Sequence, residues 1–355
     1  MQIGYTLPPE WATQDAVMLT WPHTQTDWQQ GLSAVEAVFF QLAETILRYQ
    51  ALVVICHEQA LGLRLQQEFS QRHLPLTQVF FAQIPSNDSW ARDHGPITVF
   101  DHKGQPVWLN FSFTGWGDKY AAALDNQIND LLFDQAFINV STIERLDLVL
   151  EGGAIETDGK GTLLTTSRCL LHDNRNPGVS QADLSARLHE LFGVQQILWL
   201  DHGGIAGDDT DGHIDMLARF TPSGALLFQC SDDPADPHFA ELQQMAAQLQ
   251  QFRNTEGEPY PLQALPMPQA IYDEKMQRLP ASYANFLIIN GAVLVPQYAD
   301  VADERALAVI AGAFPGYDVI GISCLPLIRQ YGSLHCVTMQ LPRGVLQTFV
   351  HGTTH

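Results

Sequence analysis

The feature that most constrains this chain is a recurrence. An amphipathic helix, a short apolar strand, a polar or glycine-bearing segment and a further β-like run follow one another about five times. Helical spacing is clearest over residues 33–50, where Ser33 and Glu36 have capping-box spacing and Val35, Val38, Phe39, Leu42 and Ile46 share a face. Further helices are predicted over residues 59–72, 126–138, 180–192, 237–252 and 302–314, and strands over 51–56, 78–82, 146–150, 195–200, 260–264 and 317–322. The polar segments are Asn87-Asp-Ser-Trp-Ala-Arg-Asp-His-Gly-Pro96, Glu151-Gly-Gly153, Gly207-Asp-Asp-Thr-Asp-Gly-His-Ile-Asp215, Ala281-Ser-Tyr-Ala-Asn285 and Tyr331-Gly-Ser-Leu-His-Cys336. Such a repeat suggests units around a centre, each adding one polar segment to a shared site. On periodicity alone, an unsymmetrical mixed α/β sheet fits equally well.

The 355 residues allow one large domain or two ordinary ones, and without a Gly/Ser linker or low-complexity tract we expect a single domain spanning 1–355. Acidic side chains outnumber basic ones 39 to 18, a formal charge of −21, which argues against nucleic acid or an anionic membrane and favours cationic ligands. The first basic residue is Arg48 and the longest apolar stretch, residues 286–295, is interrupted by Asn290 and Gly291, so no secretory signal or membrane span is expected and the location is expected to be cytoplasmic. Cys56, Cys169, Cys230, Cys324 and Cys336 form no C-x-x-C pair and are expected to be free thiols, most of them packed in the core.

Four segments carry residue types able to do chemistry. His213 and Asp215 are two apart, so a strand opening at Gly212 would aim both at one face. A metal site or a structural capping turn are the alternatives there. Asp93 beside Arg92 precedes the Gly95-Pro96 break, where a carboxylate can receive a planar cation or simply pair with its neighbour. Glu151 ends an apolar run and needs a buried Arg, a histidine or a ligand as partner. The run from Leu334 to Met339 reads as an alternating strand with Cys336 on the face of Leu334 and Thr338. A core thiol is the ordinary reading of Cys336. A nucleophile there would need a cationic neighbour and a proton-shuttling histidine, for which His213 is the candidate, whereas the other four cysteines lack such a setting.

Taken in order, Ser89-Trp-Ala-Arg-Asp-His-Gly-Pro96, Leu150-Glu-Gly-Gly-Ala-Ile155, Asp211-Gly-His-Ile-Asp215, Ala281-Ser-Tyr-Ala-Asn-Phe286 and Gly332-Ser-Leu-His-Cys-Val-Thr338 resemble the motifs of the agmatine deiminase family. Leu7-Pro-Pro-Glu-Trp11 and Thr20-Trp-Pro-His23 extend the likeness over nearly the whole chain. The resemblance implies the guanidine-modifying (pentein) fold, a five-bladed pseudo-symmetric α/β propeller of ββαβ-like units. It also implies roles: Cys336 as nucleophile, His213 as general acid and base, Asp93 and Asp215 as guanidinium holders, and Glu151 orienting His213. Asp209 resembles a substrate-contacting position and Trp90 a pocket wall.

The implied reaction converts a guanidinium, agmatine first, to a ureido product and ammonia through a covalent amidino-thioether, with no metal or organic cofactor. Homo-oligomers are common in the family, while the sequence itself is silent on oligomeric state. Familiar members read Gly-Gly-Asn-Ile-His-Cys where this chain has Tyr331-Gly-Ser-Leu-His-Cys336, and their histidine loop is one residue longer. Peptidyl-arginine is therefore the rival substrate. A metal-dependent hydrolase or a silent polyamine-binding protein are the rivals from other classes.

Overall fold

Two neighbouring parallel strands need a connection long enough to cross the sheet, usually a helix, whereas antiparallel neighbours need only a turn. The computed structural model, which describes residues 4–347, uses both connections in a fixed order. Strand β1 (Gln14–Thr20) leads through helix α1 (Leu32–Ile46) to parallel β2 (Ala51–Cys56), and α2 (Gln59–Gln71) leads to parallel β3 (Val79–Gln83). Then β4 (Ile97–Phe100) and β5 (Pro106–Ser112) form a hairpin, and α3 (Ile128–Phe133) crosses to β6 (Thr142–Val149), parallel to β5.

The same unit follows three more times. It comprises β7 (Ile155–Thr157), β8 (Thr162–Thr166), α4 (Gln181–Phe192) and β9 (Gln196–Leu200); β10 (Ala218–Phe220), β11 (Leu226–Gln229), α5 (Phe239–Leu249) and β12 (Leu262–Leu265); and β13 (Leu287–Ile289), β14 (Ala292–Gln297), α6 (Asp303–Ala313) and β15 (Asp318–Ser323). Finally β16 (Met339–Pro342) pairs antiparallel with β1, so the first sheet takes its hairpin partner from the far end of the chain. The result is five sheets, one of four strands and four of three.

Burial explains the strand sequences. β2 and β14 read as continuous apolar runs because both faces are covered, as in parallel sheets generally. Helix α1 buries Val35, Val38, Phe39, Leu42 and Ile46, the face its spacing predicts. Phe39 and Phe40 meet Trp21 edge-on at 5.4 and 4.9 Å between ring centres, a favoured aromatic geometry.

Local details depart from the sequence reading. α1 begins at Leu32 with Gly31 as its N-cap and no side-chain cap; Glu36 is taken by the Trp21 indole N–H at 2.9 Å and by Arg64, so the capping box does not form. Helices α1, α3 and α5 stop several residues before the apolar spacing does. The run around Cys336 is not a strand. Residues 334–337 turn, with the Thr338 N–H donating to His335 O at 3.1 Å, and extended structure starts at Met339. His213 likewise leads into the helical turn Ile214–Met216, and Asp93 lies in the turn Ala91–His94. Three or four alternating residues cannot tell a short strand from such a turn.

These turns have one position in common. Four of the polar segments precede the first strand of a hairpin, residues 87–96 before β4, 151–153 before β7, 207–215 before β10 and 281–285 before β13, and residues 331–336 precede β16, the antiparallel partner of β1.

Candidate active site

The turns bring Asp93, Glu151, His213, Asp215 and Cys336 together, all buried. Gly153 shows how closely. A Cβ at that position would lie 2.5 Å from His213 Nδ1, 2.9 Å from Asp93 Oδ1 and 3.1 Å from Asp215 Oδ2, so only glycine leaves room for the three to converge. The backbone N–H of Arg92 donates to Cys336 O at 3.1 Å, tying the Asp93 turn to the thiol turn.

Around His213 the contacts are charged. Nδ1 lies 3.6 Å from Asp93 Oδ1, while Nε2 lies 3.7 Å from Glu151 Oε2. Burial works against an imidazolium here, but Asp93, Cys169 and Glu151 outweigh it and hold His213 well above its ordinary value. Glu151 has the buried partner its position demands: Arg175 Nε at 2.7 Å. His213 and Arg175 overcome the effect of burial and keep Glu151 below its usual range.

The two carboxylates facing the thiol are held differently. Asp93 accepts the Trp116 indole N–H at 2.9 Å and the Gly153 N–H at 3.1 Å, and burial pushes it up to about 6 against the pull of His213. Asp215 pairs its Oδ2 with His335 Nδ1 at 2.8 Å; the histidine and more distant cations overcome burial and hold Asp215 low. Its Oδ1 is buried without a partner. Cys336 Sγ sits 3.9 Å from Asp215 Oδ2 and 3.4 Å from the Asn285 amide nitrogen. Burial, Asp215 and Asp93 together raise the thiol well above its ordinary range, which favours its protonated form.

A cavity of about 380 Å³ opens onto Cys336 and Asp93. Asp27, Asp88 and Asp209 add three more carboxylates to its lining, with Trp90, Trp116 and Tyr120 as walls and no Lys, Arg or His among the described lining residues. Asp209 accepts the Tyr120 hydroxyl at 2.7 Å, and burial lifts it and Asp88 to about 6. Gly332 lies flat on Trp90, where a Cβ would come within 2.1 Å of the ring. A larger cleft of about 600 Å³, walled by Glu10 and Arg92 among apolar residues, contains neither the thiol nor His213.

Every site residue expected from the sequence falls in this cluster or its cavity, but several participants went unread. Asn285 was inside a recognised motif without a part assigned. Trp116 carried a signal in Gly115-Trp-Gly117: all three residues have positive φ, a conformation that costs a non-glycine residue about 1–3 kcal/mol and here aims the indole at Asp93. Arg175 had no signal. Cys169 corrects the sequence reading directly, because it lies against His213, and its sulfur, the imidazole and a Glu151 oxygen fall within 4.8 Å of one another. A soft divalent cation could use that donor set, although Arg175 already pairs with Glu151.

A thiol and four carboxylates line the pocket at Cys336 with an imidazole behind Asp93, an anionic arrangement suited to a cation. The chain belongs to the Porphyromonas-type peptidyl-arginine deiminase family, whose model matches residues 6–342. It is 31% identical to an agmatine deiminase of Pseudomonas aeruginosa, over 96% of both chains. Among solved structures, a cysteine-to-serine variant of C. jejuni agmatine deiminase with substrate bound is 35% identical with a TM-score of 0.87, covering 96% of this chain and 97% of that one. A Porphyromonas gingivalis chain given a provisional arginine deiminase name is 47% identical with a TM-score of 0.89, covering 97% and 100%.

Proposed function

We propose that this protein hydrolyses the guanidinium group of agmatine to N-carbamoylputrescine and ammonia. The observation that carries the reading is that Cys336 and Asp93 line a cavity with three further carboxylates and no lining cation among the described residues, while His213 and Asp215 close on Asp93 behind it. Agmatine is cationic at both ends. Free arginine would bring an α-carboxylate toward Asp27, Asp88 and Asp209, and like charges repel. Peptidyl-arginine has no such charge and is the second reading, favoured by the family's description.

In the proposed mechanism Asp93 and Asp215 pin the planar guanidinium by paired, charge-assisted hydrogen bonds, presenting its carbon to Sγ of Cys336. The cation's arrival offsets the carboxylates' effect on the thiol and favours the thiolate. Attack forms a C–S bond and a tetrahedral adduct. His213, its Nε2 side backed by Glu151 and its Nδ1 side toward Asp93, gives a proton to the departing nitrogen, and ammonia leaves as the C–N bond breaks. Water deprotonated by His213 then adds to the amidino-thioether carbon, and the C–S bond breaks to return the thiol and the ureido product. Neither metal nor organic cofactor enters these steps.

The finer architectural expectations belong to the same proposal. Five units of like topology, each placing its polar segment at one cluster, form a single five-bladed pentein propeller around the site. No helix among the described residues is long and apolar enough to cross a membrane. We place the protein in the cytoplasm as a homo-oligomer, which sedimentation analysis would read.

Ammonia release from agmatine, arginine and an arginine-containing peptide tests the function. Agmatine should give at least about ten times the kcat/KM of the others. Preference for the peptide would move the assignment to the second reading, and no ammonia from any of the three would overturn both.

A further inference from the structure

Glu10 lies in the Leu7-Pro-Pro-Glu-Trp11 motif, to which the mechanism gives no part. Pro8 and Pro9 fix the backbone just before it, and its carboxylate enters a buried network fed from four other places in the chain. Oε1 meets Arg92 Nη1 at 3.2 Å and His335 Nε2 at 2.8 Å, while Oε2 pairs with Arg219 and accepts from Gln340 Nε2 at 2.9 Å. Arg219 is itself fixed, donating to Glu156 and to the Phe286 carbonyl, each at 2.8 Å.

The His335 ring has carboxylate oxygens at both ends. Nε2 faces Glu10 and Nδ1 faces Asp215 Oδ2, each at 2.8 Å, so the ring is a rigid strut between the N-terminal segment and the cavity. With Oδ2 held by the strut, the unpartnered oxygen of Asp215 is Oδ1. Any rotation of the ring away from Glu10 also carries Nδ1 away from Asp215.

We propose that Glu10 is a positioning residue for substrate binding, acting through His335 to aim Oδ1 of Asp215 at the guanidinium. The inference rests on the reading of Asp215 as a guanidinium ligand. Because that contact exists in the bound substrate as well as in the transition state, loosening it raises KM more than it lowers kcat.

A double-mutant cycle on agmatine turnover, with folding checked by circular dichroism and thermal unfolding, tests this. E10Q should raise KM about tenfold with kcat within about threefold of wild type. H335Q, which keeps a nitrogen toward Glu10 and loses the one toward Asp215, should do the same, and the E10Q/H335Q double variant should be no worse than H335Q alone. E10D preserves the charge for Arg92 and Arg219 but is one methylene too short for the strut, and H335N keeps the Asp215 contact while severing Glu10. These two supply the reading if E10Q or H335Q fails to fold, and both should raise KM. Glu10 substitutions that leave KM within twofold, or that multiply KM equally in wild-type and His335-substituted backgrounds, overturn the proposal. Wild type and D215N run alongside: absence of agmatine turnover by wild type strikes the functional reading itself, and an unchanged KM in D215N strikes the role of Asp215.

Discussion

Asp93 and Asp215 both act on the Cys336 thiol, yet the fold treats them oppositely. Asp93 stands on a turn beside the cavity and is solvated by two neutral N–H donors, so burial dominates and its value rises to about 6. Asp215 stands deeper, backed by His335 and then by Glu10 and Arg219, and is held below the ordinary 3.8. The difference teaches a division of labour. One carboxylate is an anion held low within a hydrogen-bonded network, while the other is pushed up to about 6 by burial. Both raise the thiol between them.

The largest expected effect lies outside the contrast and sets its scale: C336A should lower kcat by at least about 10⁴-fold, read by ammonia release. Next, D215N and D93N should each lower kcat/KM by about 10²-fold or more, but their stabilities should separate. Removing Asp215 takes the carboxylate acceptor from buried His335 Nδ1 and deletes an anion the fold stabilises, and should cost about 2–3 kcal/mol in denaturant unfolding. Removing Asp93 deletes an anion that burial already disfavours and should cost less than about 1 kcal/mol. Equal losses would break the comparison.

The pH dependence follows with opposite signs. Asp93 binds its proton more tightly folded than unfolded, so its contribution to stability falls as pH rises from the ordinary 3.8 to about 6. Asp215 binds its proton less tightly folded, so its contribution is present above 3.8 and is lost as pH falls through its lower folded value. D93N should therefore gain on wild type between pH 4 and pH 7, whereas the deficit of D215N should shrink only below about pH 4. The acid limb of kcat/KM should fall near pH 6, where Asp93 takes up its proton, and D93N should make that limb shallower, with Asp88 and Asp209 supplying what remains. Smallest of all, W116F removes one donor from the Asp93 anion, which should move the acid limb upward and lower kcat/KM at neutral pH by about threefold to tenfold.

Much of this was legible in the chain because the chemistry sits in short contiguous motifs. Cys336, His213, Asp93, Glu151 and Asp215 each lie in a short segment that precedes an antiparallel-paired strand, so order along the chain predicted convergence in space. The strands with continuous apolar runs, such as β2, were read to the residue because burial on both faces leaves no ambiguity of pattern. Arg175, Cys169 and His335 were not read as site residues because their roles depend on which turn packs behind which, a tertiary fact without a local signature. Reading Cys336 as strand failed for a related reason: the turn is held by a backbone bond to Asn285 and by the close approach of the Asp93 segment, neither visible in its own alternation.

If Cys336 takes the guanidinium carbon covalently between two carboxylates, an adduct on that cysteine forms during turnover. Acid-quenching wild-type enzyme during agmatine turnover and mapping the adduct by mass spectrometry tests it most directly. The predicted result is a peptide containing Cys336 heavier by agmatine less ammonia, absent from C336A. Turnover with the Cys336 peptide unmodified throughout, or with C336A as active as wild type, would contradict it.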